Sequence, residues 1–106
     1  MMKTITISEL YDATKSLTDN DLILDVRTPG EFAAGRVPNA KNIPVDQVMK
    51  HAEELKKYSS VYVYCLAGGR VVATYNLLAP FGVKNLICVD EGGFPDWAEA
   101  GYPVEK

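Results

Sequence analysis

The run Val61-Tyr62-Val63-Tyr64 constrains the fold of this chain more than any other segment. β-Branched and aromatic residues favour strands, and a short continuous apolar run is typical of a strand buried on both faces. Comparable short runs recur along the chain, and segments with helical spacing separate them. This alternation of strands and helices is typical of an α/β domain with a largely parallel sheet.

Apolar spacing and turn residues predict the other elements of this domain. Strands are predicted over residues 4–7, 22–26, 61–64 and 85–89, with an extended segment at 40–44 as the fifth. Helices are predicted over residues 9–17, with Ser8 as the N-cap, and over 31–34, 45–57, 70–79 and 94–100. We therefore expect a single α/β domain over residues 1–106, with a five-stranded, mainly parallel sheet and helices on both faces.

Composition and charge exclude several classes of function. The net charge is −3 and the basic residues are scattered, which argues against a nucleic-acid interface. No apolar stretch has the length of a membrane span or of a secretory signal, so we expect a cytoplasmic protein with no membrane partner. His51 is the only histidine and no Cys-x-x-Cys pair is present, so we expect neither a metal site nor a cofactor.

The strongest chemical signal is a cysteine directly after the best strand. Cys65 is followed by Leu66, Ala67, Gly68, Gly69 and Arg70, and then by a predicted helix. Glycines let backbone N–H groups turn inward, and a helix N-terminus adds positive potential, so this loop can hold an anion. Such donors favour the thiolate, which is a nucleophile without help from a general base. We therefore expect Cys65 to be the catalytic residue and to carry sulfur as a persulfide.

Three motifs of the chain resemble those of the rhodanese family of sulfurtransferases. They are Leu24-Asp25-Val26-Arg27 with Glu31-Phe32 and the run 35–44, then Cys65-x-x-Gly68-x-Arg70, and finally Gly92-Gly93-Phe94-x-x-Trp97. Their order and spacing match the family's over nearly the whole chain. The resemblance implies a single rhodanese-like domain. It also implies transfer of sulfane sulfur from a donor such as thiosulfate to a thiol or cyanide acceptor, with a sulfur-relay protein as a further partner to consider.

The expected binding groups are the loop residues 66–70, of which Arg70 places a cation at the rim. Arg36 stands where the family usually has histidine, so it is either a second cation at the site mouth or a solvated surface residue. Asp25 and Arg27 are expected to support the site, Asp25 through hydrogen bonds and Arg27 through an ion pair with Glu31. If thiosulfate is the donor, the arginines must recognise its charge. The uncharged front of the loop would instead suit a protein or low-molecular-weight persulfide.

Two rival classes of function stay open. A cysteine-dependent phosphatase or arsenate reductase would use the same nucleophile, but the related phosphatases have five residues between Cys and Arg. Four residues separate Cys65 from Arg70, and this tighter ring favours one sulfur atom over a phosphate. A non-catalytic rhodanese-like binding module would need an inert cysteine, and the intact loop argues against it. Cys88, in an apolar run, is expected to be a small buried side chain and not a second reactive thiol.

Overall fold

The computed structural model describes residues 1–106 as one sheet with helices on both of its faces. The strands are β1 (Lys3–Thr4), β2 (Asp21–Asp25), β3 (Lys41–Asn42), β4 (Ser60–Tyr64) and β5 (Leu86–Cys88). The α-helices are α1 (Ile7–Thr14), α2 (Pro29–Ala34), α3 (Ala52–Leu55), α4 (Gly69–Leu78) and α5 (Phe94–Glu99), and 3₁₀ helices occupy Val45–His51 and Ala79–Phe81. None of the helices has the length and apolarity needed to cross a membrane.

The sheet is entirely parallel, with the strand order β1-β5-β4-β2-β3, so β4 lies at its centre. Side chains of β4 alternate between the two faces. Val61 and Val63 join the larger buried cluster, on the side of α3 and α4, whereas Tyr62 and Tyr64 join the smaller cluster, on the side of α1 and α5. Burial on both faces explains why β4 has no polar alternation in its sequence. The predicted α/β class and five-stranded sheet are confirmed.

The first helix begins earlier than predicted because Thr6, not Ser8, is its N-cap. The Thr6 hydroxyl accepts a hydrogen bond from the Glu9 backbone N–H (3.1 Å), and the Glu9 carboxylate accepts one from the Thr6 backbone N–H (2.9 Å). This reciprocal capping box satisfies two N–H groups at once, which a cap at Ser8 would not do. As a result β1 ends at Thr4 instead of extending to residue 7.

The segment 45–57, predicted as one α-helix, is mostly a 3₁₀ helix. The structure has a 3₁₀ helix over Val45–His51, and only the four residues of α3 follow as α-helix. The backbone N–H of Val45 donates to the Val26 carbonyl (3.1 Å), so the start of this segment is still bound to the chain leaving β2. The N–H of Gln47 donates to the Pro44 carbonyl (2.8 Å), an i→i+3 bond that tightens the turn into 3₁₀ geometry.

Candidate active site

Cys65 lies directly after β4, at the carboxyl end of the central strand and 1% exposed. Its carbonyl accepts a hydrogen bond from the Phe94 backbone N–H (2.9 Å), which ties the start of the loop to α5. Ligands of open parallel sheets usually bind outside the carboxyl ends of the strands. The structure therefore places Cys65 at the edge of the sheet where the sequence predicted a site.

Gly68 turns the loop back over the cysteine. Its backbone N–H donates to the Cys65 Sγ at 3.1 Å, so the sulfur already has one donor within the protein. The φ angle of Gly68 is +103°, a conformation that side chains rarely adopt, and a Cβ there would collide with the Asp90 carbonyl oxygen. A glycine is required at this position by both the backbone angle and the contact.

The rest of the loop offers hydrogen-bond donors that the protein does not use. The backbone N–H groups of residues 66, 67, 69, 70 and 71 have no acceptor within the chain. Three of them open α4, whose first N–H groups have no partner inside the helix by geometry and carry the positive end of its dipole. Unpaired donors and dipole together can hold a negative charge next to Cys65.

Gly93 closes the site from the other side, a role that the sequence suggested only through the glycine pair 92–93. A Cβ at Gly93 would overlap the carbonyl oxygens of Cys65 and Leu66, so the segment before α5 lies directly against the loop. The Gly93 N–H donates to the Asp96 carboxylate (2.8 Å), which fixes this segment at the start of α5. The loop thus rests on a rigid backbone support.

Arg70 does not project a free cation to the rim, because Glu31 binds it. Arg70 Nη1 and Nη2 donate to the two carboxylate oxygens of Glu31 at 2.6 and 3.1 Å. Glu31 is held in turn by Thr28, whose backbone N–H (3.0 Å) and hydroxyl (3.1 Å) donate to its Oε1. The Arg70 guanidinium lowers the pKa of Glu31 to about 2, so this carboxylate is ionised at neutral pH. The predicted ion pair of Glu31 with Arg27 is therefore wrong.

Arg27 pairs with Asp25 instead, inside the protein. Its Nη2 and Nε donate to Asp25 Oδ2 at 2.7 and 3.0 Å, and both side chains are at most 3% exposed. The Tyr64 hydroxyl donates to the same Oδ2 (2.6 Å) and accepts a hydrogen bond from the Val37 N–H (3.1 Å). Burial, together with the Asp25 charge, raises the pKa of Tyr64. The network joins β2 to β4 beneath the site, and sequence reasoning missed Tyr64 because its partner lies 39 residues away.

Arg27 also reaches the segments that border the loop. Its Nη2 donates to the Gly35 carbonyl (2.7 Å), and its guanidinium lies 4.4 Å from the centroid of the Phe94 ring. Burial by itself would lower the pKa of Arg27, but the Asp25 carboxylate more than offsets that effect and raises it. Asp25 and Arg27 therefore connect α2 and α5 through a fixed, charge-compensated contact.

Arg36 forms an ion pair with Glu105, near the C-terminus. Its Nε donates to the Glu105 carboxylate (3.2 Å), and its Nη1 donates to the Phe32 carbonyl (3.3 Å). The backbones of Arg36 and Glu105 also exchange two hydrogen bonds of 2.9 Å each. All three arginines of the chain are thus bound to carboxylates, and none supplies the unpaired cation predicted for the mouth of the site.

Other candidate features lie apart from the loop. Cys88 on β5 is fully buried, and burial raises the pKa of its thiol to about 12, as expected for an inert side chain. A cavity of about 470 Å³ lies at the amino ends of β4 and β5, and none of its lining residues belongs to the Cys65 loop. The His51 imidazole contacts the Glu54 carboxylate (2.9 Å), and no three His, Cys, Asp or Glu side chains are grouped as metal ligands.

Comparison with known proteins agrees with this geometry. The family described as the rhodanese-like domain matches residues 6–100. A sulfurtransferase from Allochromatium vinosum is 31% identical over 87 residues, which cover 82% of this chain and 80% of that protein. The chloroplastic thiosulfate sulfurtransferase 16 of Arabidopsis thaliana is 37% identical over 97 residues, covering 77% of this chain and 78% of that protein.

Solved structures give the same result. The crystal structure of a rhodanese-related protein from Thermoplasma volcanium superposes with a TM-score of 0.82 at 33% identity, over 97% of both chains. The superposition extends over nearly the whole of both chains, and it confirms the resemblance carried by the three sequence motifs. The chain belongs to the rhodanese-like domain family.

Proposed function

We propose that this protein is a sulfurtransferase that carries sulfane sulfur as a persulfide on Cys65. The observation that supports this function is the loop itself. One backbone N–H contacts the Cys65 sulfur, and five further N–H groups of residues 66–71 have no acceptor in the chain. A terminal persulfide sulfur is an anion, and it would accept hydrogen bonds from such donors. The relatives named sulfurtransferases agree with this class of activity.

The proposed reaction has two steps, and no oxidant is needed in either. In the first, the Cys65 thiolate attacks the sulfane sulfur of the donor and forms a new S–S bond. The donor's own bond to that sulfur breaks, and the leaving group (sulfite, when the donor is thiosulfate) departs with the electron pair. In the second, a thiol or cyanide attacks the outer sulfur, and Cys65 leaves as a thiolate.

Each residue of the loop has a distinct role in this proposal. The N–H groups of Leu66 and Ala67, and those opening α4 at Gly69 and Arg70, would stabilise the outer sulfur. Gly68 would hold the Cys65 Sγ in place through its own N–H. Asp25 and Arg27 are positioning residues in this proposal, because their hydrogen bonds go to each other, to Tyr64 and to the Gly35 carbonyl.

Thiocyanate formation tests the proposal. Wild-type protein given a sulfane-sulfur donor and cyanide should release thiocyanate catalytically. Cys65→Ser should abolish the reaction, since a hydroxyl cannot form the persulfide. Cys88→Ser is the matched control, because it removes the other thiol of the chain and should keep the activity. Equal activity in wild type and Cys65→Ser would refute the proposal.

A further inference from the structure

The electrostatics of the loop point to the class of sulfur donor. We propose that Glu31 sets donor specificity by neutralising Arg70, so that the site takes sulfur from organic persulfides with an uncharged body in preference to the thiosulfate dianion. This inference rests on the proposed function of Cys65. It assigns to Glu31 the role of a specificity-determining residue that acts through Arg70.

The contact between Glu31 and Arg70 is bidentate, and its carboxylate end is held by Thr28. Both carboxylate oxygens of Glu31 accept from the guanidinium, and Thr28 fixes the carboxylate at the start of α2. Arg70 is the second residue of α4, so the pair joins two helix N-termini beside the loop. The pKa of Arg70 is raised, chiefly by its hydrogen bond with Glu31 and to a smaller extent by the charge of Cys65. Arg70 therefore stands at the end of the cysteine loop with its charge already compensated.

No other arginine is free to replace Arg70. Arg27 and Arg36 are bound to Asp25 and Glu105, and the loop contains no lysine. The segment packed against the loop carries Asp90 and Glu91, and neither carboxylate is paired with a cation. Within the loop, a dianionic donor would therefore depend on the backbone N–H groups for compensation of its charge.

The surface next to the loop suits an uncharged organic group. Leu66 is 41% exposed and Val72, one helical turn into α4, is 38% exposed. Ala67 lies between them and is exposed as well. Residues 71–83 contain no Asp, Glu, Lys or Arg, so the outer face of α4 continues this uncharged surface away from the loop. Burying the body of an organic persulfide here would contribute hydrophobic free energy that thiosulfate cannot provide.

The step with such a donor balances without a further reagent. The Cys65 thiolate attacks the outer sulfur of the persulfide R–S–S–H and forms the new S–S bond. The donor's S–S bond breaks, R–S⁻ leaves with the electron pair, and it takes the proton of the outer sulfur. The products are the Cys65 persulfide anion and the thiol R–S–H.

The test compares two donors in several variants. The donors are thiosulfate and the persulfide of N-acetylcysteine methyl ester, whose body carries no charge. Glu31→Gln removes the charge but keeps the length and the capping box, which accepts glutamine. Glu54→Gln is the matched control, because it changes the net charge equally in a carboxylate paired with Lys41 and His51, not with Arg70. The quantity measured is the ratio of kcat/KM for thiosulfate to kcat/KM for the organic persulfide.

We expect wild type to prefer the organic persulfide. Glu31→Gln should raise the ratio by about ten-fold or more, because a released guanidinium forms charge-assisted hydrogen bonds with the thiosulfate oxygens. The gain should shrink as salt is added, whereas Glu54→Gln should leave the ratio within about two-fold of wild type. The double variant Glu31→Gln/Arg70→Met should keep the ratio close to that of wild type, since it removes both charges of the pair together.

Other results would overturn the inference in distinguishable ways. If wild type prefers thiosulfate, or if Glu31→Gln leaves the ratio unchanged, Glu31 does not set the donor class, although sulfur transfer through Cys65 stands. If the double variant Glu31→Gln/Arg70→Met selectively abolishes the thiosulfate reaction, Arg70 binds that donor despite its pairing, and the inference is wrong. If wild type takes sulfur from neither donor, the inference and the proposed function fail together.

Discussion

Replacing Asp25 by asparagine should destabilise the whole domain, because it leaves the Arg27 guanidinium buried without a counter-ion. The Asp25 side chain is fully buried and that of Arg27 is 3% exposed, so water cannot compensate the charge. Breaking a buried ion pair by removing one partner costs about 3–5 kcal/mol. Asparagine keeps the shape and one acceptor oxygen, so we expect the lower end, about 3 kcal/mol of unfolding free energy.

A loss of this size is large for a domain whose total stability is about 5–15 kcal/mol. It corresponds to a fall of about 10–20 °C in Tm for a chain of this length. Urea denaturation and thermal unfolding of Asp25→Asn measure it directly. Tyr64→Phe, which leaves the Val37 N–H without its partner, should cost less, about 1–2 kcal/mol.

Asp12→Asn is the matched control for this prediction. Asp12 pairs with Lys15 at 3.7 Å, but both side chains are more than half exposed, so the unfolding midpoint should not change. If Asp25→Asn unfolds within about 1 kcal/mol of wild type, the value typical of a surface pair, the buried network does not stabilise the fold as argued.

Three further predictions follow from single contacts. Gly93→Ala should reduce the free energy of unfolding by about 1–3 kcal/mol and the rate of sulfur transfer by about ten-fold or more, because its Cβ would displace the Cys65 and Leu66 carbonyls. Gly30→Ala is the control, because a Cβ there meets nothing within 4 Å, and it should change neither quantity. Glu31 has a folded-state pKa of about 2 against its usual 4.5, so its pairing stabilises the fold above pH 4.5 and this contribution is lost as the pH falls towards 2. Urea midpoints of wild type and Arg70→Met should therefore differ at neutral pH, by about 1 kcal/mol for this partly exposed pair, and converge near pH 2; a constant difference would contradict the assignment. Cys88, with a thiol pKa of about 12, should resist iodoacetamide at about pH 8 in the folded protein and react once unfolded, which peptide mapping detects.

The sheet was predictable because its signals are local. The residues of β4 are β-branched or aromatic on both faces, and such runs lie in the sequence next to the turns that end them. The position of Cys65 followed from the same strand, because a cysteine directly after a central strand lies at the carboxyl edge of the sheet. The sequence alone does not show why position 68 requires glycine, because the atom that a Cβ would meet is the carbonyl oxygen of Asp90, 22 residues further along the chain.

The ion pairs were not predictable, because their partners are chosen by the tertiary structure. Spacing alone favoured Arg27 with Glu31, but Arg27 turns inward to Asp25 and Glu31 meets Arg70, 39 residues away. The same limit applies to the 3₁₀ helix over Val45–His51, whose start is bound to the chain leaving β2. Local propensity gives the elements of this fold, whereas the charge balance around the loop depends on contacts across the sheet.

Intact-mass spectrometry tests the central claim most directly. After incubation with a sulfane-sulfur donor, the wild-type protein should gain the mass of one sulfur atom, located on the peptide that contains Cys65. Cyanide should remove the added sulfur. Cys65→Ser should gain none, and Cys88→Ser should gain the same as wild type. A protein that acquires no sulfur from thiosulfate, mercaptopyruvate or a cysteine persulfide, or that acquires it on Cys88, would contradict the assignment of Cys65 as the sulfur carrier.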